Sequence, residues 1–85
     1  MYSVVINPKA AKQLAALPAK LQQKILGKME ALAVNPYAPN NNVKALNGGE
    51  GYRLRVGDYR VIYDLHDDVL HIELVRVGHR REVYQ

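Results

Sequence analysis

Gly57-Asp58 lies between two runs, Tyr52 to Val56 and Tyr59 to Asp64, in which aromatic and aliphatic residues are interleaved with charged ones. A Gly-first pair in that setting predicts a two-residue β-hairpin. Once the turn is placed, the pairing has no remaining freedom: Val56 faces Tyr59, Arg55 faces Arg60, Leu54 faces Val61, Arg53 faces Ile62 and Tyr52 faces Tyr63. Period-two alternation then divides the side chains. Tyr52, Leu54, Val56, Tyr59, Val61 and Tyr63 share one face, which must be buried, while Arg53, Arg55 and Arg60 share the other. A turn at Leu65 to Asp68 leads into a third run, Val69 to Val77, and an even register there adds Leu70, Ile72 and Leu74 to the core face.

The hairpin needs a cover, and the first half of the chain supplies one. Tyr2 to Ile6 is a short β-branched run that stops at Asn7-Pro8, where Asn can cap a helix and Pro suits its first position. Ala10, Leu14 and Leu17 then recur at helical spacing. Leu17-Pro18 interrupts them, and Leu21, Ile25, Met29 and Leu32 repeat at three to four until Asn35-Pro36. The stretch from Pro36 to Gly51, rich in Asn, Gly and Pro, reads as a connector. The expected fold is α+β, ordered β-α-α-β-β-β, an antiparallel sheet with a two-helix hairpin packed on one face. Its 85 residues form a single domain, 1–85, near the lower size limit for a self-sufficient core.

The chain has no cysteine, no signal-like start and no apolar run near the roughly 18 residues of a membrane span. A cytoplasmic protein with no membrane contact is therefore expected. The formal net charge is +4, and its layout is asymmetric: the six lysines lie before residue 50 and the six arginines after it. Arginine presents a planar fork that grips phosphate through two bonds, whereas lysine is a hydrated point charge suited to open helix faces. Arg55 opposed to Arg60 costs stability, which an anion would relieve. An ordinary solvated sheet face would also alternate polar residues outward, and Glu73, opposite Arg60 in the expected register, could pair with it.

The last residues run V-G-H-R-R-E-V-Y before Gln85. Gly78 is expected to break the third strand, so that His79, Arg80 and Arg81 fold back toward the arginine face with Tyr84 behind; the alternative is a frayed polar terminus. His66 and His71 lack converging carboxylate spacing and are read as non-ligands, so no metal and no cofactor are expected.

The run G-Y-R-L-R-V-G-D-Y-R-V-I-Y-D from Gly51 to Asp64, then V-G-H-R-R-E-V-Y from Val77 to Tyr84, resembles the RelE/ParE superfamily of toxin-antitoxin toxins, more closely its RelE branch. The opening V-V-I-N-P-K-A-A-K-Q-L and the Leu-Pro between the helices extend the likeness over nearly the whole chain. The resemblance implies an endoribonuclease, or mRNA interferase, that cuts mRNA in the ribosomal A site and so inhibits translation. In that chemistry an RNA 2′-oxygen attacks the phosphorus without a metal. It also implies an inhibitory RelB-like antitoxin through which the complex regulates its own operon. Position by position, the family's catalytic residues fall on Arg53, Arg55, Arg60, Arg80 and Tyr84, with Arg81, His79 and Lys44 as further RNA contacts. The best-known members carry lysine where Arg53 and Arg55 stand. Arginine keeps its proton and is a poor base, which leaves His79 or Tyr84 to handle the proton. Two other readings share this pattern: a ParE-like toxin that inhibits DNA gyrase by binding it, and a non-catalytic RNA-binding module.

Overall fold

The structure, a computed structural model, describes residues 1–46 and 51–83. The chain runs β1 (Ser3–Ile6), α1 (Pro8–Ala15), α2 (Ala19–Val34), β2 (Val43–Ala45), β3 (Tyr52–Val56), β4 (Tyr59–His66) and β5 (His71–His79). The five strands form one sheet in the order β1-β5-β4-β3-β2. The α+β class is as expected, with two differences in the sheet. First, β1 pairs with β5 in parallel, so the sheet is mixed. Turn residues specify only strands adjacent in sequence, and β1 meets a partner more than sixty residues away. Second, the connector contributes β2, an edge strand of three residues that is too short to show a period of its own.

The local signals behave as their chemistry dictates. Asn7 caps α1, its side-chain oxygen accepting from the Lys9 N–H at 2.9 Å, and Pro8 opens the helix. α2 has no side-chain cap at Pro18; instead Gln22 in its first turn reaches back, its Nε2 donating to the Leu17 carbonyl at 2.7 Å. That bond satisfies a carbonyl freed where α1 ends. Gly57 takes φ +58°, as the first position of a Gly-first hairpin turn requires. All five hairpin pairs are those expected from the turn.

One layer of core lies between the helices and one face of the sheet. Ala10, Leu14, Ile25, Met29, Leu32 and Ala33 meet Leu54, Val56, Val61, Tyr63, Ile72, Leu74 and Val77 there, all buried. Tyr52 is only half-buried and stacks on Tyr63, ring centroids 5.4 Å apart. Leu70 departs from expectation, being 49% exposed with φ +52°. β4 extends to His66, so the turn falls at residues 67–70 and Leu70 closes it in a left-handed conformation. The later turn also moves Glu73 opposite Asp64, while Arg60 faces Gly78. A bulge follows: Tyr63 pairs with Leu74 but Ile62 with Arg76, leaving Val75 as an extra residue. Leu74 and Val77, three apart, thereby both point into the core, and Arg76 is turned outward. Among the described residues no helix is long and apolar enough to cross a membrane.

Candidate phosphate-binding groove

Because the helices cover one face, the outward residues of β2, β3 and β4 form an open basic surface. Lys44 stands opposite Arg53, and Arg55 opposite Arg60. The like charges are kept apart by where each guanidinium goes. Arg60 folds back over the hairpin, its Nη1 donating to the carbonyls of Gly57 and Tyr59, each at 2.9 Å. Arg55 turns to the sheet edge and donates to Asn42 Oδ1 at 3.1 Å. Beyond β2 the edge of β3 is met by Asn42, whose carbonyl accepts from the Arg55 N–H at 2.8 Å, and α2 borders the same edge. The result is a groove of about 440 Å³ lined by Lys24 and Lys28 from α2, Asn42, Arg55 and Val56, the Gly57-Asp58 turn, Arg60 and Arg80. Five cationic side chains face one carboxylate there. Lys24 and Lys28 were not among the residues expected at a site. Their helical spacing shows that they share an exposed face, but only the packing of α2 over the hairpin tip brings that face to the arginines.

The tail reaches the groove by a route other than the expected one. Gly78 does not break β5; the strand continues to His79, with Gly78 paired to Arg60 and His79 to Tyr59. The glycine serves a close approach instead, since a Cβ there would lie 3.4 Å from the Val83 Cα and Cβ. Residues 80–83 form a single tight turn in which the N–H groups of Glu82 and Val83 both donate to the His79 carbonyl, at 2.8 and 3.0 Å. Val83 is 2% exposed, and Arg76 Nη1 donates to its carbonyl at 2.9 Å. The tail is therefore anchored rather than frayed as far as Val83. Arg80 is tied to the hairpin turn, its N–H donating to the Asp58 carbonyl at 2.9 Å and its Nη1 lying 4.0 Å from Asp58 Oδ1.

Of the residues expected to act together, Arg55, Arg60 and Arg80 converge on the groove. Arg53 and Lys44 lie on the same face of the sheet further along β3, and Arg81 is exposed in the turn after Arg80. His79 does not fold onto the arginine face. Strand alternation, uninterrupted at Gly78, sends it to the side of Val77 and Tyr59, whose ring it meets edge-on at 5.7 Å. It lines a separate cleft with Lys9, Gln13 and Glu82. Its Nδ1 accepts from the Arg81 N–H at 3.3 Å, which leaves the proton of a neutral imidazole on Nε2. Tyr84 lies outside the described residues.

The opposite end of the open face has a different character. Asp64, His66 and Glu73 each bring one ligand atom within 4.8 Å of the others, a convergence that linear spacing concealed because the displaced turn sets Glu73 opposite Asp64. These are the residues that could hold a divalent cation. In the structure His66 Nε2 and Glu73 Oε1 pair at 2.8 Å, and Asn7 Nδ2 is 3.4 Å from Glu73 Oε2. The hydrogen bond to Glu73 raises the His66 pKa, and the same bond, with that from Asn7, lowers that of Glu73. Beside them, the hydroxyls of Tyr37 and Tyr2 both donate to the Asp67 carboxylate and hold its pKa down.

A family model described as the ParE toxin of the type II toxin-antitoxin system parDE matches residues 4–84. A RelE-like toxin protein of Escherichia coli is 28% identical over 79 residues, which cover 93% of this chain and 83% of that protein. The archaeal RelE in the RelE-RelB complex from Pyrococcus horikoshii OT3 has the same fold, with a TM-score of 0.81 and 29% identity over 96% of this chain and 98% of that one. The intact Escherichia coli RelBE toxin-antitoxin complex contains a chain similar in fold at a TM-score of 0.79, 20% identical, over 93% of this chain and 96% of that one.

Proposed function

Given that the chain belongs to the ParE toxin family of type II toxin-antitoxin systems, within the RelE/ParE superfamily, we propose that it acts as an endoribonuclease on ribosome-bound mRNA and is held in check by an antitoxin. The observation that carries this reading is the convergence of Arg55, Arg60 and Arg80 on one groove. A 2′-oxygen attacking the adjacent phosphorus forms a new P–O bond as the bond to the 5′-oxygen breaks. Negative charge grows on the non-bridging oxygens while this happens. Forked donors fixed around that position stabilise the charge at little reorganisation cost. Arg60 and Arg80 are pre-set by their bonds to the hairpin turn, and Arg55 by Asn42. None of the three is a base, and His79 stands across the sheet, so the 2′-proton passes to Tyr84, to solvent or to a ribosomal group.

The antitoxin follows from the family and from the RelB partners of the similar structures. An acidic segment laid across the open basic face would block the groove. A second reading, a ParE-like inhibitor that binds DNA gyrase, is favoured by the name of the matching family model. The two separate in a cell-free translation extract with primer extension along the message. Codon-phased cuts that vanish with Arg80→Ala support the nuclease. Intact message together with inhibited supercoiling by gyrase would replace it with the second reading.

A further inference from the structure

Lys24 and Lys28 lie one helical turn apart on α2, exposed, and line the wall of the groove that faces Arg55, Arg60 and Arg80. Among the described residues neither has a carboxylate partner, and the one acidic side chain in the groove, Asp58, is turned to Arg80. Like charges at this spacing destabilise a helix slightly. Lys20, also exposed, lies one further turn back on α2.

We propose that Lys24 and Lys28 form a second anion subsite, which holds the two backbone phosphates next to the one bound by the arginines and commits the groove to an extended single strand of RNA. The proposal rests on the nuclease reading and adds to it a place for the rest of the substrate. Residues four apart in a helix rise about 6 Å, of the order of one extended nucleotide, so successive lysines can follow successive phosphates. The chemistry of the two walls also differs in the sense this requires. Arginine forks fix one phosphate in a set orientation, whereas lysine ammonium groups attract a phosphate without dictating its angle. The lysine wall therefore contributes to binding and not to the reacting centre.

The test uses the purified toxin and an RNA oligonucleotide made uncleavable by 2′-deoxy substitution, with binding followed by fluorescence anisotropy from low to moderate salt. Lys24→Gln/Lys28→Gln is compared with Lys9→Gln/Lys12→Gln, which removes the same charge from α1. The groove variant is expected to bind about tenfold more weakly, with the slope of log K against log salt reduced by about 1.4, two single-strand phosphates' worth. The α1 variant should keep the wild-type slope, and Lys24→Arg/Lys28→Arg should restore it. On a cleavable message the groove variant should lose kcat/KM through KM, its single-turnover rate at saturation staying within about twofold of wild type. Equal slopes for the two double variants, or a fall in the saturated rate with binding unchanged, would overturn the proposal. So would a loss of affinity for an acidic peptide with none for RNA, since the wall would then be a protein-binding surface. Because the binding assay needs no cleavage, a toxin that cuts no message yet shows the slope change would sink the nuclease reading and leave the subsite standing.

Discussion

Two residues show most directly how position outweighs composition. Leu70 holds φ +52° at half exposure, a conformation that costs an L-residue roughly 1–2 kcal/mol and is open to glycine. Leu70→Gly is therefore expected to raise unfolding free energy by about 0.5–1 kcal/mol in urea titration, against the usual direction for removing a leucine. Leu54 and Arg55, neighbours in β3, should behave oppositely. Leu54 is 1% exposed and its truncation to alanine should cost about 2–5 kcal/mol, whereas Arg55→Ala, with its side chain outside the core, should stay within about 0.5 kcal/mol. That division was legible beforehand because a two-residue turn fixes its own register and alternation does the rest. The exposure of Leu70 was not, since nothing in residues 65–70 says which four make the turn. The lysine wall was hidden for a different reason: helical spacing gives the face of Lys24 and Lys28 but not the element beneath it.

At the scale of elements, the informative features are those that re-aim a strand. The bulge at Val75 lets Leu74 and Val77 share the core, and the one local sign of it is that strict alternation from Leu74 would put Arg76 on the buried face. Gly78 was legible as special but for the wrong purpose. Its missing side chain lets Val83 seat on β5, and through Val83 the turn that carries Arg80. Gly78→Val should push the turn away and lower single-turnover cleavage about as far as Arg80→Ala does, on the order of a hundredfold, with Gly78→Ala milder because its Cβ just reaches contact. At the far end of β4 and β5, the raised His66 pKa contributes stability that is fully present below the ordinary histidine value of 6.5 and lost as pH rises through the folded value. The lowered Glu73 pKa contributes stability present above 4.5 and lost as pH falls through its folded value. The pair thus stabilises most between these two values. Thermal melts of wild type should lose part of their midpoint as pH rises above 6.5, and His66→Gln should remove that share of the loss.

For the whole molecule, the sequence carries the class, the hairpin and the helical cover, and leaves out how the two ends of the chain meet. β5 is an interior strand of the sheet, between β4 and the parallel strand β1, so the first strand in chain order waits for the last. Closing so long a loop brings an entropic cost before any contact across it can form, and β5 with the turn before it supplies those contacts. Nascent chains arrested before His71 should accordingly be cut by low protease concentrations that spare chains carried through Val83. Arg80 comes later still and reaches the groove only when Val83 has settled on Gly78. A chain stopped before Arg80 thus keeps the hairpin with Arg55 and Arg60 but lacks the guanidinium that completes the groove.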